Sequence, residues 1–576
     1  MATVGQVLTA PESGWKRYDD TNPSLSYSGT WGANTGQTSN YNSTTRTINL
    51  TNTGLVKFNF VGTKLRIITN MAASQSSSMS ISIDGVVESF SCYASASALQ
   101  SLAYEKNELI NKVHQVIISK TDTVNNFTLD AIDIDSTGRL LHPDEITDIK
   151  DLAIGKRIRC HYSAISGAVG TFSGLGQESS DFIPVASTAT PNGDFYWIMV
   201  EDINKKKILI ADRNIQHTIS WDSLNSAGIA SGSGVPIYFK SNDIFTTSNV
   251  SSNGHIVLAS EELSTFSAYK AFDGSIANSS CWAIPANKAG WLSYQFNTPR
   301  RIDRYKIYPN GASYTQSPKN WVFEGSNDGV NWNTLDSRTN VTAWSGSGLL
   351  FKTATVGLFK IYRISISAFN GATDASSIGE LELLESQNTY ESTLRLLTGG
   401  ILSTDKDNEW DKYIVNSTLN GAITAGDSSV WNWSGIFSYT STTGTTATAR
   451  VERGNTAASG WGGRQSTGAA ATDGFRPVLI IETLTTNRSF VKFDGVYKKW
   501  VEGTPATPSY WQTISTTLPS VDTFMSDGMS DLSVMNRKST TFVDVMSDNG
   551  VLGSGKVYKK SVDLKKLFEI TGVKVE

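Results

Sequence analysis

Ser317-Pro-Lys-Asn-Trp-Val-Phe-Glu-Gly-Ser-Asn-Asp-Gly-Val-Asn-Trp332 is the stretch on which the reading of this chain turns. Asn327-Asp-Gly329 within it is a hairpin signal, because tight two-residue reversals need positive φ, which Gly, Asn and Asp tolerate. Working outward, Ala268-Tyr-Lys-Ala-Phe-Asp-Gly274, Trp282, Gly290-Trp-Leu-Ser-Tyr-Gln-Phe296 and Ile302-Asp-Arg-Tyr-Lys-Ile307 precede it. Ile361-Tyr-Arg-Ile364 and Ile378-Gly-Glu-Leu-Glu-Leu383 follow. Trp291, Trp321 and Trp332 fall inside strand patterns and are expected in a core.

The whole chain reads the same way. Its 576 residues are too many for one core, so several domains are expected. Only 18% are charged, while 15 Trp, 20 Tyr and 23 Phe supply large buried surfaces, which excludes a disordered composition. The fold class expected is all-β, a multidomain string of β-sandwich and jelly-roll modules. Five segments are expected: 1–142, 153–241, 242–386, 390–483 and 485–576, with a short acidic connector after the first. Alternation is plain in Leu55-Val-Lys-Phe-Asn-Phe60, Met79-Ser-Ile-Ser-Ile83 and Val113-His-Gln-Val-Ile-Ile118, and Asp84-Gly85 is a turn signal. Residues 99–111 read as the one short helix of the first segment. Asp133 and Asp135 alternate along a strand read as an exposed edge.

A net charge of −4 without a basic block argues against nucleic acid as a partner. No apolar run approaches the roughly 20 residues that span a bilayer, so membrane insertion is not expected. The start of the chain shows neither a basic nor an apolar signal region. Cys92, Cys160 and Cys281 are far apart and read as buried free thiols.

The ordered patterns between 264 and 385 resemble the coagulation-factor type C, or discoidin, domain, whose bacterial and viral relatives are mostly family 32-like carbohydrate-binding modules. The resemblance implies a structural Ca²⁺ held by Asp273 and Glu380, with Ser280 and loop carbonyls completing the oxygens such an ion wants. Trp282 lies two residues later than the commonest spacing, and Ser replaces Thr. The disulfide staple of animal members is absent, since Cys281 is the only cysteine of the region. The resemblance also implies a sugar site in a loop cluster at one end. Sugars are gripped by an aromatic face flanked by polar groups, so the carbohydrate-binding candidates are Tyr314, Trp344, Phe369, Asn370 and His255.

Segment 1–142 looks like a carbohydrate-binding jelly roll, and modules like it recur in tail proteins of phages of Gram-positive bacteria. Trp15, Tyr18, Asp19, Asp20 and Trp31 there read either as a second sugar site or as sandwich core with an Asp-rich turn, the core being the default. Segment 153–241 resembles a module of phage-like structural proteins.

Catalysis is not expected. Asp405, Asp407, Glu409 and Asp411 cluster, but in one turn-like run rather than across a cleft. The five histidines have no metal-ligand spacing, and no nucleophile-elbow or phosphate-loop motif occurs. The expectation is therefore a non-catalytic tail or virion protein of receptor-binding type. Its partners would be host cell-wall or surface polysaccharide and other tail proteins. It would be a homo-oligomer such as a trimer, located in the virion and outside the cell after host lysis. The alternative is a secreted bacterial adhesin, or the non-catalytic arm of a polysaccharide-degrading system.

Overall fold

The computed structural model describes residues 2–536 except 244, 246, 252–253, 276, 279, 312, 347, 386–389, 484–487, 504–508, 521–522, 525–526 and 530–531. It also describes the backbone of 547–552 and 555–559. The chain forms two compact units, 1–483 and 484–576. It is all-β, and among the described residues no helix is long and apolar enough to cross a membrane.

The first 142 residues form a sandwich of two six-stranded antiparallel sheets. Strand Gly54–Gly62 shows why: Val56, Phe58 and Phe60 are fully buried while Lys57 between them is exposed. Lys112–Lys120 alternates in the same way beside it. Asp84 and Gly85 both take positive φ, at 52° and 85°, and close the expected hairpin between Ile83 and Val86.

Two expectations for this sandwich are corrected. Residues 99–111 are not helical, because Ala98–Lys106 is a strand paired with Leu65–Met71. Its alternation is masked because both faces are covered. Ala103 and Tyr104 face the main core, whereas Leu102 packs with Leu8, Ile68 and Ala131 in a small second core. Nor is the strand of Asp133 an edge. Phe127–Asp135 lies between Leu65–Met71 on one side and Trp15–Asp19 and Thr44–Ile48 on the other. Buried Asp133 pairs with Arg17 through two hydrogen bonds of 2.6 and 2.9 Å. The core reading of Tyr18 and Asp20 agrees with their burial, while Trp15 lies under the Arg66 guanidinium at 3.9 Å.

Segments 153–241 and 390–483, read as separate modules, share one sheet and one core. Arg157–Ser163, Asn192–Ile203 and Lys206–Ala211 pair in series, and Lys206–Ala211 then pairs with Pro477–Thr483, which pairs with Tyr390–Leu396. Val235–Pro236 joins the far side of Tyr390–Leu396, while Phe239–Lys240 joins Thr171–Ser173 at the other end of the series. Only two residues separate these short strands, so the sheet closes on itself as a small barrel. Phe195, Trp197, Met199, Leu209, Leu396 and Ile481 fill it. The same strands bury their outer side chains too: Tyr196, Ile198 and Val478 pack against Trp410 and Trp431 of the 397–435 loops.

Between the two halves of the barrel lies the 242–386 domain. Five antiparallel strands, Ile256–Ala259, Gly290–Arg300, Phe359–Phe369, Pro318–Ser326 and Asn333–Arg338, form its front sheet. The back strands Glu380–Glu385, Arg304–Tyr308 and Leu349–Lys352 continue directly from the barrel sheet through Phe239–Lys240. Trp282, Trp321, Tyr305, Phe323 and Tyr362 lie between the layers. Of the three tryptophans expected in this core, Trp321 is there. Trp291 and Trp332 are half-buried, and the Arg363 guanidinium covers the Trp332 ring at 3.7 Å. All three cysteines are free and buried.

In the second unit Val491–Phe493, Val496–Val501 and Tyr510–Ser515 make a three-stranded antiparallel sheet, turned at Asp494-Gly495. The Pro/Thr-rich loop 503–508, beyond Gly503, and the tail from 560 onward lie outside the described residues.

Candidate functional site

The strand register fixes which candidates can meet. Pro318 pairs with Phe369 and Gly290 with Ile366, whereas Ser326 and Gln295 both pair with Ile361. The front sheet therefore has a Pro318–Phe369 end and a Ser326–Gln295 end. Eight residues of strand place these about 25 Å apart. Tyr314, Trp344, Phe369 and Asn370 belong to the first end.

Only Tyr314 among these presents an open aromatic face. It begins the short 3₁₀ turn Tyr314–Gln316 and is 40% exposed. A Cβ added to Gly346 would lie 3.8 Å from its hydroxyl, so Gly346, on the loop that carries Trp344, passes beside it. Trp344 on that loop is 7% exposed and Phe369 5%, both packed into the domain core. The Trp344 indole N–H donates to the Pro318 carbonyl at 3.0 Å, which seals the loop. Neither ring can stack on a sugar, and both are corrected to core. The Asn370 amide lies 3.1 Å from the carbonyl oxygens of Ser317, Pro318 and Val341, so it ties loops together. His255 is corrected most fully, because it flanks Ile256, which pairs with Gln295 at the opposite end. Its Nδ1 meets the Tyr294 hydroxyl at 2.7 Å and the Asp243 carboxylate at 3.1 Å.

Two residues that sequence reasoning passed over shape the Tyr314 rim. Buried Gln316 donates to Asp374 at 2.9 Å and accepts from Asn310 at 3.1 Å and Ser377 at 2.9 Å. Asp374 is exposed, and hydrogen bonds, first from the Ala375 amide, hold its carboxyl below the usual range. The rim thus carries one exposed phenol ring, with the Asp374 carboxylate tied through Gln316 to the same short turn. That arrangement can stack on an apolar sugar face and accept hydroxyl hydrogen bonds.

The residues expected to hold Ca²⁺ do converge. Asp273 follows the turn Ala268–Phe272, and Glu380 opens the strand Glu380–Glu385. Ser280 donates to Asp273 Oδ2, and the Ser275 amide donates to Oδ1 at 2.8 Å. Glu380, 2% exposed, receives the Gly274 amide on Oε2 at 3.2 Å. Its Oε1 receives the ammonium of Lys240 at 2.8 Å. This donor set does not fit a calcium ion, since a positive charge already sits on the central carboxylate. Among the described residues no three acidic, His or Cys side chains converge closely enough to hold a metal. Burial acts to lower the Lys240 pKa, but Glu380, Glu382 and Asp273 together hold it above the lysine range. In the sequence Lys240 is a lone lysine after Ile237-Tyr-Phe in segment 153–241, with nothing local to announce a partner in the next segment.

The acidic run 405–411 is occupied by structural bonds. Glu409 forks onto Arg395 at 2.5 and 2.7 Å, and buried Asp411 pairs with Arg453 at 2.7 Å. Asp405 accepts the Ile401 amide at 3.2 Å.

Residues 270–357 match a family model of the coagulation-factor type C group described as a NedA-like, galactose-binding domain. The chain thus carries a discoidin-type domain. A curated Arabidopsis thaliana protein, peptide-N(4)-(N-acetyl-beta-glucosaminyl)asparagine amidase, is 29% identical over 143 residues, 23% of this chain. The match spans only 19% of that relative's length. Among solved structures, the family 32 module of Streptococcus pneumoniae EndoD is 14% identical (TM-score 0.21), covering 23% of this chain and 97% of that one. The family 32 module of Clostridium perfringens NanJ, solved with galactose, is 18% identical (TM-score 0.20), covering 23% and 93%.

Proposed function

We propose that this chain is a non-catalytic glycan-binding protein whose 242–386 domain grips a galactose-type sugar at the Tyr314 rim. The observation that carries the reading is the exposed Tyr314 ring, on a turn whose Gln316 holds Asp374, at one loop end of a domain matching a galactose-binding family. The ring stacks on the C–H face of the sugar, and Asp374 accepts its hydroxyl hydrogens. One such pocket binds weakly, so several copies in an oligomer, a trimer for instance, supply useful avidity. The setting that suits this is a phage tail or virion. There the chain contacts host cell-wall or surface polysaccharide on one side and other tail proteins on the other, and meets the host outside the cell. The resemblance of segments 1–142 and 153–241 to tail modules supports that setting.

The test is binding of the full chain to a glycan array and to purified host cell wall. Saturable binding that competes with galactose and is lost in Tyr314→Ala is the expected result. Wild-type binding that persists in Tyr314→Ala sinks the assignment of the rim. A second reading, the non-catalytic arm of a glycan-active enzyme, draws on the amidase relative. It predicts that a separate catalytic chain binds this one, and release of sugar by the purified chain alone would refute non-catalysis in both readings.

A further inference from the structure

The pocket of carboxylates around Glu380 contains a cation that the chain itself supplies. Lys240 is not part of the discoidin-type domain. It sits on the barrel-closing strand Phe239–Lys240, with backbone paired to Ser173 on one side and Leu384 on the other. From there its side chain runs inward, 8% exposed, to Glu380 Oε1 at 2.8 Å. Asp273 and Glu382 add further attraction to the same ammonium. The other Glu380 oxygen takes the Gly274 amide, so the carboxylate links the loop after Asp273 to the barrel. Asp273 is itself engaged by Ser280 and Ser275.

A calcium ion needs six to eight oxygens around it and no competing positive charge. A buried ammonium on the central carboxylate repels a divalent ion and occupies its strongest ligand. Removing that ammonium would leave buried carboxylates uncompensated, which is strongly unfavourable. We propose that the Lys240 ammonium takes the place that the family resemblance gives to Ca²⁺, so the domain folds without metal and is clasped to the barrel by a side chain of the barrel.

The experiment is thermal unfolding of the full chain in EGTA and in millimolar CaCl₂, with calcium titration calorimetry in parallel. Wild type is expected to melt identically in both and to show no saturable calcium heat. Lys240→Gln, which keeps the length of the side chain but not its charge, is expected to melt several degrees lower in EGTA. A wild-type transition that falls in EGTA and recovers with CaCl₂ overturns the proposal. So does a Lys240→Gln variant that melts with wild type. Should Lys240→Gln fail to fold, the wild-type comparison alone decides.

Discussion

Tyr314 and Trp344 belong to the same end of the front sheet but differ in burial, and single substitutions separate them. Tyr314→Ala removes an exposed ring, so melting should stay with wild type while galactoside affinity drops at least about tenfold. Trp344→Ala empties a core position and breaks the bond to Pro318, so a loss of about 3–5 kcal/mol is expected in denaturant titration. Asp20 offers a pH test. Burial, with Asp19 and Asp130 nearby, raises its carboxyl to about 7 against the pull of the Thr44 hydroxyl. The folded chain then keeps a proton that the unfolded chain releases near pH 4. Between those values the native state binds more protons, so stability falls as pH rises through 7. Melting of the first sandwich should be higher at pH 5 than at pH 8, and Asp20→Asn should flatten the difference. The sequence exposed Tyr314 as a candidate, because an aromatic after Asn310-Gly-Ala-Ser lies on a loop. It could not tell Tyr314 from Trp344, since burial of a loop aromatic depends on which distant carbonyl its N–H finds.

Strands of this chain are legible wherever one face meets water. Gly54–Gly62 and Lys112–Lys120 show their period because Lys57 and Gln115 alternate with core residues. Ala98–Lys106 does not, because neighbours cover both of its faces. For Ala98–Lys106 the cover is the first residues of the chain, a contact no local pattern announces. The barrel hides more deeply still, because Lys206–Ala211 finds its partner roughly 270 positions on, in Pro477–Thr483. That pairing can be tested. Leu209→Ala should cost about 2–5 kcal/mol. Hydrogen exchange should then speed up in 157–211 and in 477–483 together. Loss of protection confined to 157–211 would show that the halves do not fold as one.

At the scale of the molecule, five expected modules reduce to a sandwich, a barrel with a domain inserted in it, and a separate C-terminal unit. The catalytic-looking acids of 405–411 belong to the barrel's outer packing, tied to Arg395 and Arg453. Because the back sheet of the inserted domain is continuous with the barrel, the domain cut out at 242–386 leaves Phe239–Lys240 behind. It loses both a sheet edge and the Lys240 ammonium. Such a fragment should melt well below the corresponding transition of the full chain, as scanning calorimetry would show.

The insertion also has a mechanical consequence. A module on a single linker swivels, and all of a pull on it passes through one strand of peptide. This domain leaves the barrel at Lys240 and re-enters at Tyr390, so tension applied at the Tyr314 rim divides between two covalent roots. One root is reinforced along its length by strand pairing and by an ion pair. A domain rooted in this way keeps its Tyr314 end at a set angle to the barrel under load, instead of swinging about one peptide.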